Sequence, residues 1–126
     1  MSLHETARKE IINLIPHRDP MVMIDQLTGF DNDWAEGIKT FSEESYGLCG
    51  GVVMEPLLIE CLAQLTAAMD GALAQRDGYP PNRGMLVKVS NFQVHRPPRA
   101  GELLHLKIDV LHRMTMFSRT RGQILT

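Results

Sequence analysis

YGLCGGVVMEPLLIECLAQLTAAMDG, residues 46–71, decides how this chain is read. A turn-rich lead-in, Tyr46 to Gly51, gives way to an apolar run that carries a single acid, Glu60, among Leu57, Leu58, Ile59, Cys61 and Leu62. The periodicity predicts one long helix over 56–75. Pro56 suits its first turn, where a missing N–H costs nothing, and Asp77-Gly78 with Pro80-Pro81 ends it. At about 100° per residue, Leu58, Leu62, Leu65, Met69 and Ala72 form a core stripe, and Glu60, Gln64, Ala67, Gly71 and Ala74 form the opposite one.

That opposite stripe has two readings. Glu60 and Gln64 can simply face water, as charged side chains usually do. The rest of the stripe, however, is Ala and Gly with Ala63 and Leu57 close by, which lets another surface approach. A carboxylate under such a cover is shielded from water and suited to proton transfer.

Outward from the helix, the flanking segments read as extended. Residues 5–15 form a short helix stopped by Pro16. Met21–Leu27 and Trp34–Phe41 read as a strand pair across the turn residues 29–33, the second interrupted by Gly37. After Gly84 the predicted strand MLVKVSNFQVH would bury Met85, Val87, Val89 and Phe92. HRPPRAGE, 95–102, is a turn. In LLHLKIDVL, 103–111, Leu104, Leu106, Ile108 and Val110 share one face, with Lys107 and Asp109 on the other. A last strand is expected within 115–125. One long helix beside antiparallel strands defines an α+β class.

Size and charge narrow the function. The 126 residues suit a single domain, 1–126, with one core. A net charge of −2 and a pI of about 6.2 give no general reason to bind nucleic acid or an anionic membrane. Glu55, Glu60 and Asp70 make the apolar stretch a poor membrane span, and the charged N-terminus lacks a signal-peptide core. A soluble cytoplasmic domain is expected. Cys49 and Cys61 have no metal or redox spacing and read as packing residues. The methionines, Met21, Met23, Met54 and Met69 among them, suit an adaptable apolar lining or ordinary core filling. His4, His95, His105 and His112 are placed in a tail, near turns or on an outward strand face, and no pair has metal-site spacing, so no metal is expected.

Three blocks carry a resemblance. IPHRDPMVMIDQL (15–27), with Pro16, His17, Arg18, Pro20 and Asp25, is similar to the opening of the 3-hydroxyacyl-acyl-carrier-protein dehydratases. LLIECLAQ (57–64) resembles their acid-bearing helix, with the acid at Glu60 and Ala-Gln at Ala63 and Gln64. NFQVHRPPRAGELLHLKIDVL (91–111) resembles their strand, basic Arg-Pro turn and strand.

The resemblance implies the hotdog fold, a curved antiparallel sheet wrapped around one long helix and paired through its sheets as a homodimer or heterodimer. It implies a site across the dimer interface, where a histidine of one subunit and a helix carboxylate of the other flank an acyl thioester. By this resemblance Glu60 is the acid, and the main chain of Gly50, Gly51, Val52, Val53 and Met54 lies near the thioester carbonyl. The acyl group would arrive on the phosphopantetheine of acyl carrier protein or coenzyme A, with no other cofactor. Arg18, Arg96 and Arg99 would form a basic rim for that carrier, unless they are scattered solvated arginines. The family treats the Pro-His-Arg histidine, His17, as scaffold.

The family's catalytic histidine does not map. Its position, fourteen residues before the acid, is Tyr46. Phenols hold their proton far above neutral pH, so Tyr46 is a poor base, although it can hydrogen-bond a thioester or hydroxyl. Three readings follow: a dehydratase whose histidine comes from a different hotdog chain, a thioesterase using Glu60 with Gln64 and backbone donors, or a non-catalytic acyl-binding subunit.

Overall fold

The computed structural model describes residues 3–80, 84–86, 88–115 and 117–126. Helix α1, Leu3–Leu14, ends just before Pro16, as expected from the conformational limit on a residue preceding proline. Its Ile11, with Ile15 beyond it, is buried. Strands β1, Gln26–Phe30, and β2, Trp34–Thr40, form an antiparallel hairpin. A second, short hairpin follows from β3, Leu48–Cys49, and β4, Val52–Val53. Its two-residue turn is Gly50-Gly51, with φ of 58° and 78°. Both residues occupy the left-handed region that a mirror-image hairpin turn requires and that favours glycine.

Helix α2, Glu55–Asp77, is the long helix, and Gly78 closes it in left-handed geometry with its N–H on the Ala74 carbonyl. Strands β5, Leu103–Arg113, and β6, Ser118–Leu125, complete a four-stranded antiparallel sheet of order β1-β2-β5-β6. Leu104, Leu106 and Ile108 alternate inward along β5 and meet Leu58, Cys61, Leu65 and Met69 of α2 in one apolar cluster. The α+β class and the core face of β5 are as expected, whereas the β3–β4 hairpin before α2 is not read from the sequence. α2 is long and apolar enough to span a bilayer by length and composition, but 61% of its most apolar window is buried inside the fold.

Three expectations are corrected. α2 is buried well beyond a single stripe: Gln64, assigned to the back of the helix, is 0% exposed. The small residues on that side admit α1 instead of solvent. A Cβ at Gly71 would lie 2.3 Å from the Leu14 carbonyl oxygen. Second, Met21–Ile24 does not join the ladder, whose strand starts at Gln26 with the Asp25 N–H on the Ile38 carbonyl, although Val22, Met23 and Ile24 are buried. Side-chain hydrogen bonds from Gln64 occupy the main chain of Met21 and Met23 in place of a strand partner.

Third, the strand expected after Gly84 does not form among the described residues. Met85 and Val89 are exposed, Phe92 is only half-buried, and Val87 lies outside the described residues. Among the described residues of 84–97 no backbone-to-backbone hydrogen bond is made, because the ladders of this chain run elsewhere.

The approach of α1 to α2 generates a test. Gly71→Ala should lower the urea midpoint, with a loss of about 1–3 kcal/mol, because the new methyl meets backbone that cannot swing aside. An unchanged or higher midpoint would show that α1 is not held against α2 at this point.

Candidate active site

Glu60 lies near the N-terminal end of α2, one turn before Gln64, so the two side chains share a helix face. The Gln64 carboxamide is the hub. Its Nε2 donates to Glu60 Oε1 at 2.9 Å and to the Met21 carbonyl at 2.7 Å, while its Oε1 accepts the Met23 N–H at 2.7 Å. Both amide hydrogens are thereby used, and a polar group that would be costly to bury is satisfied.

His17, expected to be scaffold, reaches the same carboxylate. Its Nε2 is 3.5 Å from Glu60 Oε1, with side-chain exposures of 30% for His17 and 33% for Glu60. Arg18 turns back and donates to the carbonyls of Ile15 and His17, at 2.9 and 2.6 Å, which ties down the turn that carries the imidazole. Asp25 closes the other end of the segment by accepting the Thr40 N–H at 2.8 Å and the Lys39 ammonium at 3.2 Å. The Pro-His-Arg…Asp motif is thus a strap pinned at both ends and in the middle. Its signal in the sequence was the motif itself; that His17 faces Glu60 depends on the strap's path.

The other residues do not converge on this point. Tyr46 is 58% exposed and lines a cleft of about 710 Å³ with Arg8, Pro20, Lys39, Phe41 and Ser45; Glu60 and Gln64 are not among its walls. Gly50 and Gly51 form the β3–β4 turn, and the Gly51 carbonyl accepts from Ala100 N–H. Val52 is half-buried and bridges to Arg99. Val53 is buried with its N–H on the Pro98 carbonyl, and the Met54 N–H points to the Gly47 carbonyl at 3.4 Å. Among the described residues, the Gly50 and Gly51 N–H groups donate to no backbone carbonyl.

The expected basic rim is partly neutralised. Arg96 makes a two-pronged ion pair with Glu102, at 2.9 and 2.7 Å, and also donates to Thr126. Arg18 is exposed but bonded to its own turn, and Arg99 is exposed beside Gly51. The Arg96 guanidinium, helped by the Arg99 N–H, holds the Glu102 carboxyl down at about 2. Burial pushes the Cys61 thiol up to about 12, which fits a packing residue, whereas Cys49 is exposed. Burial also raises Asp70. Among the described residues no group of three or more His, Cys, Asp or Glu side chains is placed to hold a metal ion.

A long helix laid along an antiparallel sheet, with a carboxylate near the helix start, defines the hotdog class of acyl-thioester proteins. The ApeP-like family, described as ApeP dehydratase, matches residues 9–123, and the chain belongs to that family. It is 30% identical over 105 residues to a 3-hydroxyacyl-[acyl-carrier-protein] dehydratase FabZ of Rhizobium johnstonii, which covers 79% of this chain and 66% of that protein. A FabZ of Protochlamydia amoebophila is 28% identical over 123 residues, 92% of this chain and 77% of its own length. The chain thus spans roughly two thirds to three quarters of these relatives. In three dimensions it is similar to a chain of the dehydratase heterocomplex ApeI:P from Xenorhabdus doucetiae, with a TM-score of 0.84 at 21% identity over 91% of this chain and 80% of that one. Cj0977, a sigma28-regulated virulence protein of Campylobacter jejuni, shares the fold at a TM-score of 0.60 and 13% identity, over 95% of this chain and 87% of that one.

The Arg96–Glu102 pair makes a pH prediction. A carboxyl held below its ordinary value of 4.5 contributes stability that is full above that value and is lost as the pH falls toward about 2. Arg96→Gln should raise the Glu102 midpoint in an NMR titration and weaken the acid stability of the fold in that window. A Glu102 midpoint unmoved by the substitution would show that the ion pair does not form in solution.

Proposed function

We propose that the chain is one subunit of a 3-hydroxyacyl-thioester dehydratase, in which Glu60 exchanges a proton with the C3 hydroxyl and a histidine of a second hotdog chain takes the C2 proton. The observation that carries this reading is the state of Glu60. Its Oε1 faces Gln64 and His17, while Oε2 accepts no hydrogen bond among the described residues and the side chain is one-third exposed. A carboxylate so held has one oxygen fixed and one available.

In the forward reaction the partner's imidazole removes the C2 proton, and Glu60 gives a proton to the C3 hydroxyl, which leaves as water. The double bond forms between C2 and C3. Return of the proton from imidazolium to Glu60 through solvent resets the pair. The N–H groups of Gly50 and Gly51 are available to a thioester carbonyl, where donors stabilise developing negative charge. The acyl group arrives on phosphopantetheine, from acyl carrier protein or coenzyme A, with Arg99 as the cation the rim offers it. A fatty-acid or polyketide- and polyene-type route in the cytoplasm fits this chemistry.

Two features support a second chain. Tyr46 stands at the position where the resemblance calls for a histidine and lines a cleft whose walls do not include Glu60. The segment after Gly84 leaves the main chain and the side chains of Met85, Leu86 and Val89 without a strand beside them. Main chain that is not paired to a neighbour is open to strand pairing. The Xenorhabdus dehydratase is itself a heterocomplex, which is the arrangement this reading requires.

Hydration of crotonyl thioester, followed by loss of enoyl absorbance, tests it. The chain alone should be nearly inactive. Addition of a histidine-bearing hotdog partner should restore turnover, and Glu60→Gln should then lower kcat by about a hundredfold or more. Reconstituted activity that survives Glu60→Gln overturns the reading, and release of free thiol instead of hydration marks a thioesterase.

A further inference from the structure

The imidazole of His17 is the group near Glu60 that the dehydratase reading leaves without a task. Its two nitrogens have different surroundings. Nδ1 is buried and has no hydrogen-bond partner, whereas Nε2 faces Glu60 Oε1 at 3.5 Å. A proton on Nδ1 would be a buried donor with no acceptor, whereas a proton on Nε2 would lie on the Glu60 side of the ring. Nε2 lies 3.5 Å from a carboxylate oxygen which already accepts from Gln64 at 2.9 Å. The separation is at the outer limit of a hydrogen bond, the range in which catalytic contacts lie before substrate closes the site.

We propose that His17 is a positioning residue for Glu60: its Nε2–H and the Gln64 carboxamide together hold Oε1, and so turn Oε2 toward the substrate. The inference rests on the reading of Glu60 as the working carboxylate. It also explains why His17 is not the missing base. Nδ1 is closed off by burial and Nε2 is committed to Glu60, so neither nitrogen is left to take a C2 proton. The turn is built to hold this ring, since the Arg18 guanidinium bonds the carbonyls on either side of Pro16. Gln64 fixes the continuing strap at Met21 and Met23. An imidazole on a free loop would lose rotamer entropy to meet Glu60; here the backbone has already met that cost.

The test uses the full chain, with its histidine-bearing partner for kinetics. Crotonyl thioester hydration is compared for wild type, Glu60→Gln, His17→Ala, His17→Asn and His17→Gln. The glutamine amide nitrogen lies as far from Cβ as imidazole Nε2, whereas that of asparagine is one atom short. His17→Ala and His17→Asn should therefore lose about tenfold in kcat with KM little changed, and His17→Gln should recover most of it, the size expected for one hydrogen bond to a charged group. Loss on Glu60→Gln with no loss on His17→Ala overturns the positioning role and leaves the function standing. Equal losses in His17→Ala and His17→Gln also overturn it, because the ring would then do more than donate.

A second measurement needs neither turnover nor a partner. The ¹⁵N shifts of His17 in the chain alone should report the Nε2–H tautomer and should move on Glu60→Gln. A Nδ1–H tautomer, or shifts indifferent to Glu60, overturns the proposal whatever the kinetics show.

Discussion

Everything about the site depends on one buried carboxamide. Gln64 is 0% exposed, so each of its polar atoms has to find a partner inside the protein or the helix would carry an uncompensated desolvation penalty of a few kcal/mol. It finds them in the Met23 N–H, the Met21 carbonyl and Glu60 Oε1. The first two bonds fasten a strap from a distant part of the sequence across the helix. They supply main-chain partners where no strand does, and the third fixes one oxygen of the acid. A leucine of similar size would fill the volume yet leave two backbone groups of the strap unsatisfied.

Charge is handled differently at Glu60 and at Glu102. The anion that α2 presents to the strap is Glu60, kept partly in water and approached by donors. At the turn before β5, by contrast, Glu102 gathers Arg96 and the Arg99 N–H around itself. That pair stiffens the Arg-Pro turn and removes Arg96 from the set of cations open to a phosphate. Arg18 serves the backbone that carries His17, and the Arg99 guanidinium is left exposed. Arg18 and Arg96 are thus engaged within the fold.

The segment after Gly84 shows why a strand pattern is not by itself a strand. Its alternation of apolar residues is real, but a strand is a partnership: backbone donors and acceptors are satisfied by a neighbour. The chain's own sheet runs from β1 to β6 without it, so this segment lies outside with Met85 and Val89 exposed.

The sequence by itself determined the class of fold, because its evidence is local. A 3.6-residue period marks α2, alternation marks β5, and Asp77-Gly78 marks a helix end. It also placed Glu60 and Gln64 on one helix face, since four residues make about one turn. Only the tertiary structure decided that this face is covered, that a helix stripe open to a solvent-facing reading holds a fully buried glutamine, and that His17 meets Glu60. Those facts depend on where a strap from residues 15–25 crosses the helix, and that path is set by long-range hydrogen bonds of Gln64 and Asp25, with Arg18 closing the turn, rather than by any periodicity.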